Sequence, residues 1–471
     1  MDGIKMAQSL KKLRDVTKIK DVEPLSNALF PGYHCPLMGA MLTIKEIEDA
    51  IMMVIGPDEC AYYTKMATAR IGGMGMTGAA GAAKGLEGNI VSVVLDNHDV
   101  TFGCKDKLEE AFEELVEEFK PKTVFLVTTC VVEVIGDDID SLAELFAEKY
   151  GFPVEVVHAE NFKTDDHLPG IQDSMTISGN LMEKQECNGS VNILGQRLGD
   201  FTQTELYKIL QDAGVPKGLQ IPGQCNLEQI RTAPSAKVNI VVHPIGLPLA
   251  EKMKKNFGTP YVNFERMSKP ENIYSAYQEL FRLLEKPIPS VVKTLFENSK
   301  EKEKEIKNNI NKLKYFSGNT ALSNYEMHAY LIELGLVPIL IQTSDIPEAD
   351  DSHLKSILDN SDPYVTRAAN IGPLKYLYGV LKPDVNIGAG NPMEMRRSGI
   401  VPVAFANAYN ILGFEVCNMV LDAVQTANND FNQMKLLQEK ISHGKISNEK
   451  INQMKGGHSH ESMSKLSHLI K

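Results

Sequence analysis

The residues with the clearest chemical potential are three cysteines, each beside small or turn-forming neighbours: Cys35 in GYHCPLMGAM, Cys60 in IGPDECAYYTK and Cys130 in VFLVTTCVVEVIGDDI. A thiolate can serve as a nucleophile or as a metal ligand. A nucleophilic cysteine needs a neighbouring base. His34 precedes Cys35, but adjacent residues rarely face each other, so that pair makes a weak dyad. No CxxC pair occurs, which leaves a zinc ribbon or a dithiol oxidoreductase without support. Three thiols on separate loops suit an iron–sulfur cluster, in which thiolates hold the irons and small residues let a bulky inorganic group approach the backbone. Three fall short of the four thiolates usual for such clusters, which implies a partner chain. Packed or solvent-exposed free thiols are the default reading for the other four. Cys417 lies in the apolar helical pattern GFEVCNMVLDAV, Cys187 and Cys225 sit in polar loops, and Cys104 follows Phe102-Gly103.

The elements that must hold these residues read as repeated βαβ units. VSVVL (91–95) precedes the amphipathic KDKLEEAFEELVEEFK, followed by TVFLVTT, the helix DIDSLAELFAEKYG and VEVVHAE (154–160). The same order recurs with SVNILG (190–195), TQTELYKILQDAG and KVNIVVHP (237–244), and again with KYFSGN (314–319), YEMHAYLIELG and VPILIQT (337–343). Alternation of this kind predicts an α/β chain built on parallel, doubly wound sheets. The expected layout is an N-terminal segment (1–27), three Rossmann-like domains (28–188, 189–305 and 306–425) and a polar C-terminal tail (426–471). TIKEIEDAIMMV, between Cys35 and Cys60, reads as a helix that ends at the Gly56-Pro57 break. ENSKEKEKEIKNNINKLK (297–314) mixes charges of both signs, as a solvated helix does. In open α/β sheets ligands collect at the carboxyl ends of the strands, and Cys130 stands at such an end.

Composition narrows the function classes. The 471 residues are 43% hydrophobic and 23% charged, which suits a soluble globular chain of several domains. A formal net charge of −12 argues against nucleic acid, whose binding requires clustered basic surface. No apolar run of membrane length or signal core is seen, so the expected location is the cytoplasm, where thiols stay reduced. The glycine-rich stretch 71–88 invites a phosphate-binding reading, but it lacks the Gly-Lys-Ser or Gly-Lys-Thr ending of a P-loop, and no β run leads directly into it. GGHSH (456–460) in the tail could take a metal adventitiously.

The three cysteine motifs together resemble the β subunit of nitrogenase component 1: Cys35-Pro-Leu-Met-Gly-Ala, then Gly56-Pro-Asp-Glu-Cys60-Ala-Tyr, then Thr128-Thr129-Cys130 followed by Glu133-Val134-Ile135-Gly136-Asp137-Asp138. Phe102-Gly103-Cys104 is similar to the FGG segment of that family, and the likeness in architecture extends over about residues 28–425. The resemblance implies that Cys35, Cys60 and Cys130 ligate a P-cluster-type (8Fe-7S) iron–sulfur cluster shared with a homologous α-type subunit in an α2β2 heterotetramer. It also implies a homodimeric, ATP-binding iron protein as electron donor, and a redox relay with no acid–base chemistry in this chain. Between Cys60 and Cys130 the sequence is more glycine-rich than in typical β subunits. With the lack of a long N-terminal extension, that favours a nitrogenase-like enzyme such as methylthio-alkane reductase over nitrogenase proper. The alternatives are a tetrapyrrole-reductase-like subunit with a 4Fe-4S cluster, and a scaffold on which the nitrogenase cofactor is assembled. By pattern, His243 falls close to the cofactor-binding cysteine of the α subunit. Imidazole can ligate iron, while a strand-end histidine can equally bond backbone or water. No histidine lies between His353 and His443, so the second α-type ligand is missing and the chain resembles the relay subunit. Arg396 and Arg397 could place an anion, a partner carboxylate or a surface salt bridge.

Overall fold

A computed structural model describes residues 2–22, 25, 35–62, 89–160, 162, 166–197, 199–318, 320, 322, 324–367, 372–405 and 408–442. The glycine-rich stretch 71–88 and the tail motif 456–460 lie outside the described residues. The strands are β1 (Lys11–Lys12), β2 (Ala50–Gly56), β3 (Ile90–Val94), β4 (Thr123–Thr128), β5 (Val154–His158), β6 (Val191–Leu194) and β7 (Lys217–Ile221). They continue with β8 (Val238–Val241), β9 (Tyr261–Asn263), β10 (Lys314–Ser317), β11 (Val337–Thr343), β12 (Tyr364–Arg367), β13 (Val385–Ile387) and β14 (Val401–Val403).

Three sheets result, in the orders β3-β2-β4-β5, β7-β6-β8-β9 and β1-β12-β11-β10-β13-β14. Every pairing is parallel except β1 with β12, where Lys11 faces Val365 and Lys12 faces Tyr364. Each sheet therefore reverses its winding once: between β2 and β4, between β6 and β8, and between β10 and β13. At such a switch point the connections leave toward opposite faces and open a crevice beyond the strand ends. The expected α/β architecture of parallel sheets is present.

Buried apolar residues run continuously from sheet to sheet. Leu37, Met52, Val127 and Met175 around the first sheet share one core with Leu194, Ile221, Val241 and Leu249 around the second. Phe201, Tyr277 and Phe281 of the second share another with Tyr315, Tyr330 and Phe414 farther along. Removing that much apolar surface from water, at about 25 cal/mol per Å2, favours holding the three sheets together as one body.

One element departs from the sequence reading, and two terminal segments gain structure that it left undescribed. Residues 50–54, expected inside a helix, belong to the inner strand β2, and the helix near Cys35 is Pro36–Ile44. Ala50, Met52 and Val54 pack into one core while Ile51, Met53 and Ile55 pack into another. A strand buried on both faces loses the apolar-polar alternation that identifies it, and so reads like a buried helix segment. The polar tail expected from residue 426 opens as a continuation of the helix Phe414–Ser442, because Val420, Leu421, Val424 and Ala427 keep one stripe of that helix buried. The N-terminal segment joins the third sheet through β1 and the Arg14–Asp362 ion pair at 2.7 Å. The charged run after residue 297 lies mostly in the helix Ser290–Asn309, as expected.

Candidate functional site

Cys60 and Cys130 each follow the carboxyl end of a strand at the first sheet's switch point. β2 ends at Gly56, and Pro57 turns the chain into the short helical segment that carries Cys60. β4, paired with β2 from Ala50↔Thr123 to Ile55↔Thr128, ends two residues before Cys130, the first residue of the helix Cys130–Ile135. Neighbouring strands thus deliver two thiols to one crevice.

Cys35 arrives from a third direction, as the residue that opens the helix Pro36–Ile44. That helix crosses the helix Leu168–Ser178 in near backbone contact. A Cβ on Gly39 would sit 2.0 Å from the carbonyl oxygen of His167, and a Cβ on Gly170 would sit 1.9 Å from that of Pro36. Only glycine at both positions permits this approach, so the crossing fixes where Cys35 stands. The three thiols come within reach of one another's charge. Burial raises the Cys60 thiol pKa above its ordinary value, and Cys35, Cys130 and then Glu59 raise it further. A positive group between them would offset the repulsion that Cys60 meets. Among the described residues no set of three His, Cys, Asp or Glu closes on a single metal ion. The donor set fits an iron–sulfur group: three half-buried thiols and a buried Thr129 hydroxyl with no hydrogen-bond partner among the described residues.

The rim of this crevice is a polar chain. Thr128 Oγ1 donates to Glu133 Oε1 at 2.5 Å, His158 Nδ1 lies 2.7 Å from the same oxygen, and His158 Nε2 lies 3.2 Å from Asp140 Oδ2. Burial works against the His158 cation, but the Glu133 hydrogen bond and the charges of Glu133, Asp140 and Glu160 outweigh it and raise its pKa.

The other cysteines are packed or exposed thiols. Burial pushes Cys104, Cys225 and Cys417 up to about 12, and Cys104 also faces the Asp137 carboxylate. Cys417 lies 3.9 Å from Tyr330 Oη in the interior, as its helical pattern suggested. Cys225 is buried rather than loosely held, because its backbone pairs with Glu46 and Glu48. Cys187 is exposed. Arg396 and Arg397 are exposed in the last turn of the helix Pro392–Arg397.

Sequence reasoning named His243 but missed its company. At the second sheet's switch point, Gln196 and Arg197 follow β6 and His243 follows β8. Arg197 Nη1 lies 2.8 Å from His167 Nε2, and His167 Nδ1 lies 3.0 Å from Asp166 Oδ1. Arg266, 6% exposed, donates to the carbonyl oxygens of Ala408 (3.0 Å) and Tyr409 (3.2 Å) and to Gln196 Oε1 (3.2 Å). Burial, then Arg197 and Arg266, push His243 down to about 3, so it is neutral. Its Nδ1 accepts the Ile245 amide at 3.3 Å, which leaves the proton on Nε2. Binding iron through Nε2 would require moving that proton and giving up the backbone bond. Beside this junction a cleft of about 270 Å3 is lined by Glu46, Arg197, Asp200, Lys217, Gln220 and Gln224 among others. Arg197 and Lys217 there face Glu46 and Asp200 in equal number, and because these residues lie far apart in sequence no local motif announces the junction.

A family model described as nitrogenase component 1 type oxidoreductase matches residues 35–424. The chain is 32% identical over 236 residues to the nitrogenase iron-molybdenum cofactor biosynthesis protein NifE of Clostridium pasteurianum, covering 48% of this chain and 49% of that one. It is 26% identical over 226 residues to the nitrogenase molybdenum-iron protein alpha chain of the same organism, covering 46% and 41%. The chain thus spans about half the length of these curated relatives or less. The fold resembles that of a solved nitrogenase Cp1 structure with a TM-score of 0.66 over 88% of this chain and 95% of that one, at 15% identity. With most of its length matched, the chain belongs to the nitrogenase component 1 type oxidoreductase family.

Proposed function

We propose that this chain is an electron-relaying subunit of a component 1-type complex in which Cys35, Cys60 and Cys130, with thiolates from a homologous partner subunit, hold a P-cluster-type iron–sulfur cluster. The observation that carries this reading is the convergence of those three thiols at the first sheet's switch point. Such a cluster supplies one-electron redox capacity at a potential set by burial and by hydrogen bonds to sulfur. The chain's own part is to present three thiolates on fixed elements and to keep Cys104, Cys225 and Cys417 protonated and inert. An ATP-dependent iron protein would deliver the electrons. Substrate, whether dinitrogen or the thioether of a methylthio-alkane reductase, would be reduced at a cofactor in the partner.

A second reading, a cofactor-assembly scaffold, has its own support. One relative is named as a cofactor biosynthesis protein, and the guanidiniums of Arg197 and Arg266 beside His243 are groups that suit an anionic ligand. One experiment separates these readings: the complex is purified without oxygen through this chain, then assayed for iron, sulfide and heterometal with redox-poised EPR. About sixteen or more irons per subunit pair, with turnover once an iron protein is added, supports the relay. Bound cluster without turnover, transferable to an apo-reductase, supports the scaffold. About four irons with a single four-iron signal sinks the larger cluster and returns one of the three cysteines to an ordinary thiol.

A further inference from the structure

Thr129 occupies a position whose usual task it does not perform. It is the residue from which the helix Cys130–Ile135 starts, with extended backbone (φ −117°, ψ 173°), yet its side chain makes no capping bond to that helix. A threonine there ordinarily accepts an amide of the first turn. Its hydroxyl is instead turned toward the end of β2, where a Cβ on Gly56 would sit 2.1 Å from Thr129 Oγ1. Thr129 is 1% exposed, and among the described residues Oγ1 has no hydrogen-bond partner. The neighbouring Thr128, equally buried, satisfies its own hydroxyl on Glu133. A buried hydroxyl left without a partner costs about 1–3 kcal/mol, which a fold retains only where something else meets the group.

The orphan hydroxyl lies between Gly56, four residues before Cys60, and Cys130, its own neighbour, inside the crevice that receives the three thiols. We propose that Thr129 is a positioning residue whose hydroxyl donates a hydrogen bond to a sulfur of the iron–sulfur group held by Cys35, Cys60 and Cys130, and so raises that group's reduction potential. This rests on the cluster reading given under Proposed function. An O–H donor aimed at sulfur stabilises the extra negative charge of the reduced state, so its loss favours the oxidised state.

The test uses the intact complex, purified without oxygen through this chain, as wild type and as T129V, T129A and T129S. Iron content and EPR-monitored redox titration are read for each. T129V should keep its iron while its reduction equilibrium shifts about tenfold toward the oxidised form, which is about 59 mV more negative for one electron. T129S should stay within about twofold of wild type. Loss of iron from both T129V and T129A, with T129S intact, supports the same role, since only the hydroxyl distinguishes the sets. Midpoints that coincide in all iron-loaded variants overturn the hydrogen bond and leave the cluster reading standing. Equal iron loss in all three variants overturns it as well, because packing would then be the cause. A wild-type complex with neither iron nor EPR signal overturns both readings together.

Discussion

The first two domains use the same winding for opposite chemistry. In each sheet the crevice opens between a first strand and the strand two later in sequence, β2 with β4 and β6 with β8. In the first domain the strand ends deliver Cys60 and Cys130, and a glycine-tight helix crossing adds Cys35. In the second they deliver Gln196, Arg197 and His243, with Arg266 closing over them against Tyr409. The first crevice, if its thiols ionise, gathers negative charge and calls for a metal-rich body. The second gathers the guanidiniums of Arg197 and Arg266, with the carboxylates of Asp166, Asp200 and Glu46 nearby, and presents N–H donors rather than thiolates. One topology therefore supplies two complementary sites, and what each can hold is decided by the two or three residues just past the strand ends.

That contrast breaks most sharply at Cys130. Cys130→Ala should abolish iron binding while circular dichroism and thermal unfolding stay near wild type, because the half-buried thiol contributes little packing. Unchanged iron would remove the first crevice from consideration. Gly170→Ala tests the scaffold under Cys35. Alanine gains about 1 kcal/mol of helix propensity over glycine. The added Cβ, however, meets a backbone oxygen at 1.9 Å, and relieving that overlap should cost more, for a net loss of about 3 kcal/mol in denaturant unfolding together with reduced iron. A variant as stable as wild type would mean that the two helices slide apart freely. Arg266→Met tests the other crevice. It removes the donor to the Ala408 carbonyl, a donor to Gln196 Oε1 and one of two donors to the Tyr409 carbonyl, which Gln196 Nε2 still serves, but relieves repulsion from Arg197, so a loss of about 2 kcal/mol is expected with iron content unaffected. A fall in iron would show that the two crevices are not independent.

The parts of this comparison differ in how openly the sequence displays them. Cys35, Cys60 and Cys130 stand in short motifs with turn residues beside them, so their chemistry is local and legible. The amphipathic helices Lys105–Phe119 and Ile139–Tyr150 announce themselves by a polar face. β2 does not, because both of its faces are buried and its Ala-Ile-Met-Met-Val-Ile run fits strand and helix alike. The second crevice is illegible for a different reason. His167, Arg197, His243, Arg266 and Tyr409 come from segments spread over some two hundred and forty residues, and only the closure of three domains brings them together. Thr129 illustrates a third case, since its place in sequence is visible but the missing capping bond that gives it meaning is not.

The smallest effect concerns the seam between the second and third domains, and it distinguishes structural titration from cluster chemistry. Glu205 is 8% exposed, and its Oε1 accepts from Tyr277 Oη and from the Phe414 amide, both at 2.9 Å. Burial raises its pKa to about 7, against hydrogen bonds that lower it, and the nearby Glu415 charge adds to the rise. The folded state therefore holds a proton that the unfolded state releases above its ordinary value of 4.5. Stability contributed by this group is fully present below about pH 4.5 and declines as pH rises through about 7. His243 and His328, both pushed down to about 3 by burial, act in the opposite sense. Their contribution is present above 6.5 and declines as pH falls toward 3. Glu205→Gln keeps an oxygen acceptor for Tyr277 and Phe414 but cannot ionise. It should therefore flatten the loss of stability between pH 4.5 and 7, which runs at no more than about 1.4 kcal/mol per pH unit, and leave the acid side and the iron content as in wild type. Thermal melts across that range decide it. An unchanged slope would assign the alkaline decline to other groups, and a change in iron would tie this seam to the first crevice, against the independence of the two sites.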